Sequence, residues 1–155
     1  MKLDAIDKKM LRHLQEDARI TNADLAEKVG LSPTPCLRRL RRLEKDGVIK
    51  GYHAELNREA LGVSVTALIL VKLVREEDAI MREFEQSVLS RSEVVECCLV
   101  TGKFDYFIRA VVSSLGAYEA FLSEGVLRMP NVLNVESSFI LREVENRKIL
   151  PIDDA

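Results

Sequence analysis

The stretch VGLSPTP, at residues 29–35, constrains the fold of this chain more than any other feature. Gly30 can end a helix because glycine adopts the left-handed conformation without a steric penalty. Ser32 is a good N-cap, and Pro33 suits the first helical position, where its missing N–H would have had no partner. Only Gly30 and Leu31 separate one helix from the cap of the next, so the two helices must cross at a steep angle. Such a connection is typical of a helix-turn-helix.

The residues before this turn carry two helical patterns. The first begins near Asp4, whose carboxylate can cap free backbone N–H groups and pair with Asp7 three residues later. Apolar residues then recur at three- and four-residue spacing from Ile6 to Leu14 and form one stripe. The second pattern begins at Thr21. Together with the helix after the turn, these patterns predict a three-helix domain.

The predicted third helix, Pro33–Asp46, has two different faces. On a wheel of about 100° per residue, apolar residues fall on one side and cations on the other, with Arg39 on the flank. The apolar side can pack on the preceding helices, while the cationic side can enter the major groove and bind guanine or phosphate. A solvated basic face is the alternative interpretation. The candidate DNA-contacting residues are Ser32, Thr34, Pro35, Arg38, Arg39, Arg41, Arg42 and Lys45.

The distribution of charge also separates the two ends of the chain. Residues 1–56 contain 12 Lys and Arg against 9 Asp and Glu, a balance of +3, whereas residues 57–155 contain 11 against 16, a balance of −5. A basic module on an acidic body is expected where one part meets phosphate and the other does not. The net charge of −2 therefore does not argue against DNA binding.

Beyond Gly47 the periodicity changes from helical to alternating, which indicates strands. Residues 48–56 predict a strand leaving the helical domain, within a connection that spans residues 51–62. The rest, 63–155, follows the ferredoxin-like order βαββαβ, in which two helices cover one face of a four-stranded antiparallel sheet. The fold class is therefore α+β, with the helix-turn-helix domain at residues 1–50. The predicted elements of the second domain are strands at 63–74, from Val94, from Tyr106 and at 132–141, and helices from Glu76 and at 114–129.

The second domain offers an apolar surface for assembly. The strand segments LILVKLV and CCLV are too hydrophobic to remain exposed on the sheet face that carries no helices. Pairing of two copies across this face predicts a homodimer, which would place two recognition helices on a palindromic DNA site.

Two motif-rich segments resemble one known family. The segment from LDAIDKKMLRHL through VIKGYHAEL is similar to the DNA-binding half of the Lrp/AsnC transcriptional regulators, and TGKFDY matches their T-G-x-x-D turn. The resemblance implies a winged or strand-extended helix-turn-helix, a ferredoxin-like effector domain, dimers that often close into octamers of four dimers, and an amino-acid effector held near that turn. The effector-binding candidates that it implies are Thr101, Gly102, Lys103, Phe104, Asp105, Tyr106 and Ser137.

The chemistry of the turn is compatible with that role. Gly102 lets the backbone approach a bound molecule, and Asp105 can accept a hydrogen bond from an α-ammonium group. A glycine and an aspartate between two strands are also ordinary hairpin residues, which is the structural alternative. Lys103 departs from the acidic or small polar residue of many family members. Asn131 stands where members often have glycine, and asparagine can adopt the same left-handed geometry.

Other kinds of function find little support in the sequence. No phosphate loop, nucleophile elbow or dinucleotide fingerprint occurs, so we expect neither an enzyme nor a cofactor. His13 and His53 lack the spacing of a metal site with the cysteines. Neither a signal peptide nor an apolar run of membrane-spanning length is evident, which predicts a cytoplasmic protein with reduced thiols. The alternatives are an architectural DNA-binding protein with little ligand response and an enzyme built on the second domain.

Overall fold

The computed structural model describes residues 2–75, 77–144 and 149–152, which form two compact units. In the first unit, α1 spans Ala5–Glu16, α2 spans Asn22–Val29 and α3 spans Pro33–Lys45. The second unit contains β1 at Val65–Leu73, α4 at Asp78–Leu89, β2 at Val94–Leu99, β3 at Tyr106–Val112, α5 at Leu115–Ala120 and β4 at Val132–Phe139. No helix within the described ranges is long and apolar enough to cross a membrane.

Local capping chemistry sets the helix ends of the first unit. Asp4 accepts from the Asp7 backbone N–H at 2.8 Å, and Asp7 accepts in return from the Asp4 N–H, so the predicted capping box is confirmed. Thr21 caps α2 through the N–H of Asp24, and Gly30 ends it with φ of 75°. Ser32 occupies the N-cap of α3 as predicted, although its hydroxyl makes no capping hydrogen bond.

The apolar faces of the three helices meet in one core. Met10 of α1 and Cys36 of α3 are fully buried. Leu25 of α2 is 1% exposed and belongs to the same cluster. Burial of an apolar side chain of this size contributes about 1.5–3 kcal/mol. Cys36 is therefore a small core residue.

The strand predicted at residues 48–56 is wrong: this stretch forms no strand in the described structure. Its alternating apolar residues, including Tyr52 and Leu56, are exposed, because no neighbouring strand of the described chain supplies hydrogen bonds or packing. Alternation alone does not make a strand without such a partner. The Tyr52 hydroxyl donates to Glu44 at 2.9 Å.

The C-terminal residues 149–152 belong to the first unit, whereas the sequence analysis grouped everything from residue 63 onward in the second domain. The Arg12 guanidinium donates to the Ile152 carbonyl at 2.8 Å. Gln15 pairs with the Leu150 backbone in both directions, donating at 3.2 Å and accepting at 2.7 Å. These hydrogen bonds attach the segment to α1.

The second unit has the predicted ferredoxin-like order. Its sheet is antiparallel, with strands in the order β2-β3-β1-β4. On β1 and β3 every second residue is buried against α4 and α5, as with Ile69 and Ile108. Phe84 of α4 and Phe121 after α5 fill the space between the layers. The partly exposed side chains of the open face include Leu68, Leu70, Phe107 and Val111.

The predicted helix at 114–129 is shorter than expected. After α5 the chain continues as a π-helical turn, Phe121–Gly125, and a 3₁₀ turn, Val126–Arg128. Gly125 is buried, and a Cβ there would lie 3.3 Å from the Arg91 guanidinium, which sits 5.7 Å from the centre of the Phe121 ring. The helical turns after α5 are therefore packed against Arg91, a residue distant in sequence. The predicted helix start at Glu76 lies outside the described residues, and α4 begins at Asp78.

Candidate functional site

The outward face of α3 is cationic, as its sequence predicts. Arg38, Arg41 and Lys45 are exposed and form no ion pair with any residue that the structure describes. Thr34 is exposed in the first turn of the helix, where unsatisfied backbone N–H groups favour an anion. Ser32 is also exposed, and Pro35 is partly buried. The arrangement can present three free cations and a hydroxyl to the groove of DNA.

Two other arginines of α3 are bonded within the first unit. Arg39 donates through Nη1 to Asp4 at 2.6 Å and to Asp7 at 2.8 Å, and Arg42 donates through Nη2 to Asp7 at 2.5 Å. The Asp7 side chain is 1% exposed, whereas that of Arg42 is 43% exposed. We call these four residues the acid–arginine cluster.

The hydrogen bonds of Asp4 and Arg39 favour the charged forms of these two residues. The Asp7 N–H, and secondly Arg39, lower the pKa of Asp4. The hydrogen bonds to Asp4 and then Asp7 raise the pKa of Arg39. Because the pKa of Asp4 is lowered on folding, its contribution to stability is present above its unfolded pKa and is lost as the pH falls through the folded value.

The predicted effector turn joins β2 to β3. Gly102 has φ of 120°, a conformation that favours glycine. Asp105 is buried and ties the turn to β1: one carboxylate oxygen accepts from Lys72 Nζ at 2.6 Å and the other from the Leu73 N–H at 2.7 Å. The Val100 N–H donates to the Asp105 carbonyl at 2.8 Å and closes the turn. Asp105 thus has a structural role that does not depend on a ligand.

A cavity of about 430 Å³ lies beside this turn. Thr101, Gly102 and Asp105 line it together, so the structure brings three of the predicted effector residues to one place. The remaining wall is apolar and includes Met81 of α4. The full lining consists of Leu73, Met81, Leu99, Val100, Thr101, Gly102 and Asp105.

The other predicted effector residues are not part of this lining. The Lys103 ammonium lies 2.8 Å from the Glu136 carboxylate and 4.9 Å from the centre of the buried Phe104 ring. Tyr106 is in the core and donates to Glu85 at 2.8 Å. Burial, and then the Glu85 carboxylate, raise the pKa of Tyr106.

Ser137 lies elsewhere in the second unit. It is opposite Ile69 in the sheet, and its hydroxyl makes a short contact with that of Tyr118 on α5. Tyr118 is buried and also packs edge-on against Phe139. The Ser137 hydroxyl therefore already has a protein partner.

The sequence analysis missed two sets of contacts. It treated Asp7 only as a capping residue, although a buried carboxylate requires partners and the third helix, which packs into the same core, carries Arg39 and Arg42. It also missed the apolar wall of the cavity. Leu99 and Val100 directly precede the TGKFD turn, so their position was the available signal, whereas Met81 comes from a separate helix and gave none.

Comparison with known proteins gives one family match for the N-terminal part of the chain and another for the rest. Residues 3–50 match the family model for winged helix-turn-helix DNA-binding domains, and residues 66–150 match that for the Lrp/AsnC ligand binding domain. These matches define a DNA-binding transcriptional regulator with a ligand-binding domain. The chain belongs to the Lrp/AsnC family, and both the fold class and the resemblance stated from the sequence are confirmed.

Individual relatives match over almost their whole length. The leucine-responsive regulatory protein of Haemophilus influenzae is 42% identical over 148 residues, covering 96% of this chain and 89% of the relative. That of Escherichia coli strain K12 is 41% identical over 150 residues, covering 97% and 92%. A transcriptional regulator of Neisseria meningitidis, solved in complex with L-Met, superposes with a TM-score of 0.92 at 37% identity and covers 98% of both chains. These relatives are regulators.

Proposed function

We propose that this regulator contacts DNA through Thr34, Arg38, Arg41 and Lys45, and that an amino acid with an apolar side chain controls its binding or assembly. The observation that carries the first part is the exposed cationic face of α3, opposite an apolar face buried in the three-helix core. A recognition helix needs this arrangement, because one side must pack and the other must reach base edges and phosphates.

Gel shift or fluorescence anisotropy with the DNA upstream of its own gene tests the proposed face. We expect Arg38→Ala and Arg41→Ala each to weaken binding by about 1–3 kcal/mol if the side chain reads a base. Lys28→Ala, an exposed cation of α2, is the matched control. Unchanged binding in both arginine variants would reject the face. A bounded footprint is expected, whereas protection without boundaries would favour an architectural protein.

The cavity beside the turn supports an amino-acid effector. Its wall combines four apolar residues with Thr101 and Gly102 of the turn, a combination that suits an aliphatic or thioether side chain and an α-carboxylate. The Neisseria meningitidis relative solved with L-Met supports this ligand class. Leucine and methionine are therefore the first amino acids to test.

Thermal-shift screening against the twenty amino acids tests the effector. A ligand that binds only the folded state adds about 2.7 kcal/mol of apparent stability at 100 times its Kd. We expect a shift with an apolar amino acid, a smaller shift in Met81→Gln, and an unchanged one in the control Leu127→Gln, which replaces an exposed residue outside the cavity. No response to any amino acid, or equal responses in both variants, would contradict the proposal.

We also propose a homodimer formed by the open face of the sheet. Leu68, Leu70 and Phe107 form an apolar patch there, beside the Arg109–Glu96 ion pair, in which the two charged atoms are 3.3 Å apart. Light scattering should give twice the chain mass or an even multiple, including an octamer. Leu70→Glu should produce monomers, whereas Leu115→Glu, at an exposed position of α5, should not. A monomeric wild-type protein at micromolar concentration would refute this interface.

A further inference from the structure

The acid–arginine cluster is electrically balanced. Asp4 and Asp7 contribute two negative charges, and Arg39 and Arg42 contribute two positive ones, at distances of 2.5–2.8 Å. Asp7 is 1% exposed, so its carboxylate depends on these partners for the interactions that water would otherwise supply. Two cations of α3, Arg39 and Arg42, are thus neutralised by carboxylates of the same unit.

We propose that Asp7 is a specificity-determining residue, which holds Arg39 and Arg42 in a neutral cluster and so withholds their charge from DNA phosphates. This inference rests on the proposed DNA-contacting face. Attraction to phosphate is independent of sequence and strengthens binding to every duplex, whereas base contacts distinguish one duplex from another. Withholding cations from phosphate therefore raises the ratio of specific to non-specific binding.

The position of Arg42 makes this control effective. Its side chain is 43% exposed and borders, with Arg38 and Arg39, a cleft of about 200 Å³ on the surface of α3. A phosphate could approach this cleft, so geometry alone does not keep Arg42 from DNA. The Asp7 carboxylate accepts a hydrogen bond from the Arg42 guanidinium and balances its charge. Removal of that negative charge leaves one net positive charge at the cleft.

The salt dependence of binding measures the effect directly. The logarithm of the binding constant falls with the logarithm of salt concentration by about 0.9 for each phosphate neutralised. Fluorescence anisotropy with the upstream DNA and with an unrelated duplex of equal length would compare the wild type with four variants. These are Asp7→Asn, Asp4→Asn, the charge-balanced double variant Asp7→Asn with Arg42→Gln, and Arg38→Gln. Circular dichroism would verify folding.

We expect Asp7→Asn and Asp4→Asn each to steepen the slope by about 0.9 and to bind the unrelated duplex more tightly. Asp4→Asn keeps a good N-cap, so it decides the question if Asp7→Asn does not fold. The double variant should keep the wild-type slope. A purely structural role of Asp7 would lower stability and leave the slopes of Asp7→Asn and Asp4→Asn at the wild-type value.

Arg38→Gln separates failure of this inference from failure of the DNA-contacting face. It should flatten the slope by about 0.9, because it removes an outward cation. If it changes nothing, the face is wrong. Suppose that Arg38→Gln flattens the slope and that the double variant flattens it equally. Arg42 then reaches phosphate in the wild type, and the inference about Asp7 is overturned. Unchanged slopes in Asp4→Asn and Asp7→Asn would overturn it too.

Discussion

Asp105 provides a sharp test of how the effector turn is built, because both of its carboxylate oxygens already have partners. Asp105→Ala would leave the Leu73 N–H buried without an acceptor, at a cost of about 1–3 kcal/mol. It would also remove a charge-assisted hydrogen bond from Lys72, worth roughly 1.5–3 kcal/mol before screening. The Lys72 side chain is 28% exposed, so the second contribution falls toward the lower end of its range.

The expected total loss is therefore about 3 kcal/mol. For a unit of this size each kcal/mol lowers Tm by roughly 4–8 °C, so Asp105→Ala should unfold roughly 12–24 °C below the wild type. Asp105→Asn should lose less, because its amide oxygen can still accept from Leu73. The chain has no tryptophan, so far-UV circular dichroism during heating or urea titration, at one protein concentration, is the suitable assay.

Glu119→Ala is the matched control, since Glu119 is an exposed carboxylate on α5. If Asp105→Ala melts within about 2 °C of this control, the structural reasoning is refuted. A stable Asp105→Ala protein that had lost its effector response would instead assign the carboxylate to the ligand. Loss of both stability and response is the outcome that the observed geometry predicts.

Gly125→Ala should lower stability by about 1 kcal/mol, because the new methyl group would lie 3.3 Å from an Arg91 guanidinium held over an aromatic ring. A Tm equal to or above that of the wild type would show that Arg91 moves aside freely. Burial is the main cause that raises the pKa of Cys97 to about 11. Its contribution to stability is therefore present below the ordinary thiol pKa and lost as the pH rises through 11. Urea titrations at several alkaline pH values should show a weaker decline for Cys97→Ala, and superimposable declines would contradict this.

Local sequence was sufficient to predict the elements whose causes are local. The caps at Asp4 and Thr21 and the left-handed Gly30 depend on residues within a few positions, so the first unit could be predicted with its helix boundaries. The long apolar run at residues 63–74 and the segment from Tyr106 likewise predicted β1 and β3 as strands. The strand at 48–56 failed because its alternation had no partner strand, and a strand requires one.

The outward cations of α3 also follow from the sequence, because helical periodicity alone opposes them to an apolar face. Which cations are free is a tertiary property. Arg39 and Arg42 share their helix with Arg38, yet carboxylates more than thirty residues away neutralise them. The wheel placed Arg42 on the same face as Arg38 and placed Arg39 on the flank. Only the packing of α1 against α3 shows that Arg39 and Arg42 are both paired with carboxylates.

In the effector turn too, the sequence predicts some features and tertiary packing decides the others. Its glycine and aspartate could be recognised from TGKFD, and glycine was needed for the positive φ at Gly102. Only the folded sheet decided that Asp105 bonds the end of β1 and that Met81 from α4 lines the cavity beside it. The sequence by itself determines the helix ends and turns whose causes are local, such as the caps at Asp4 and Thr21 and the turn at Gly30. The tertiary structure decides which charged side chains pair and which residues line the cavity, because those residues are far apart along the chain.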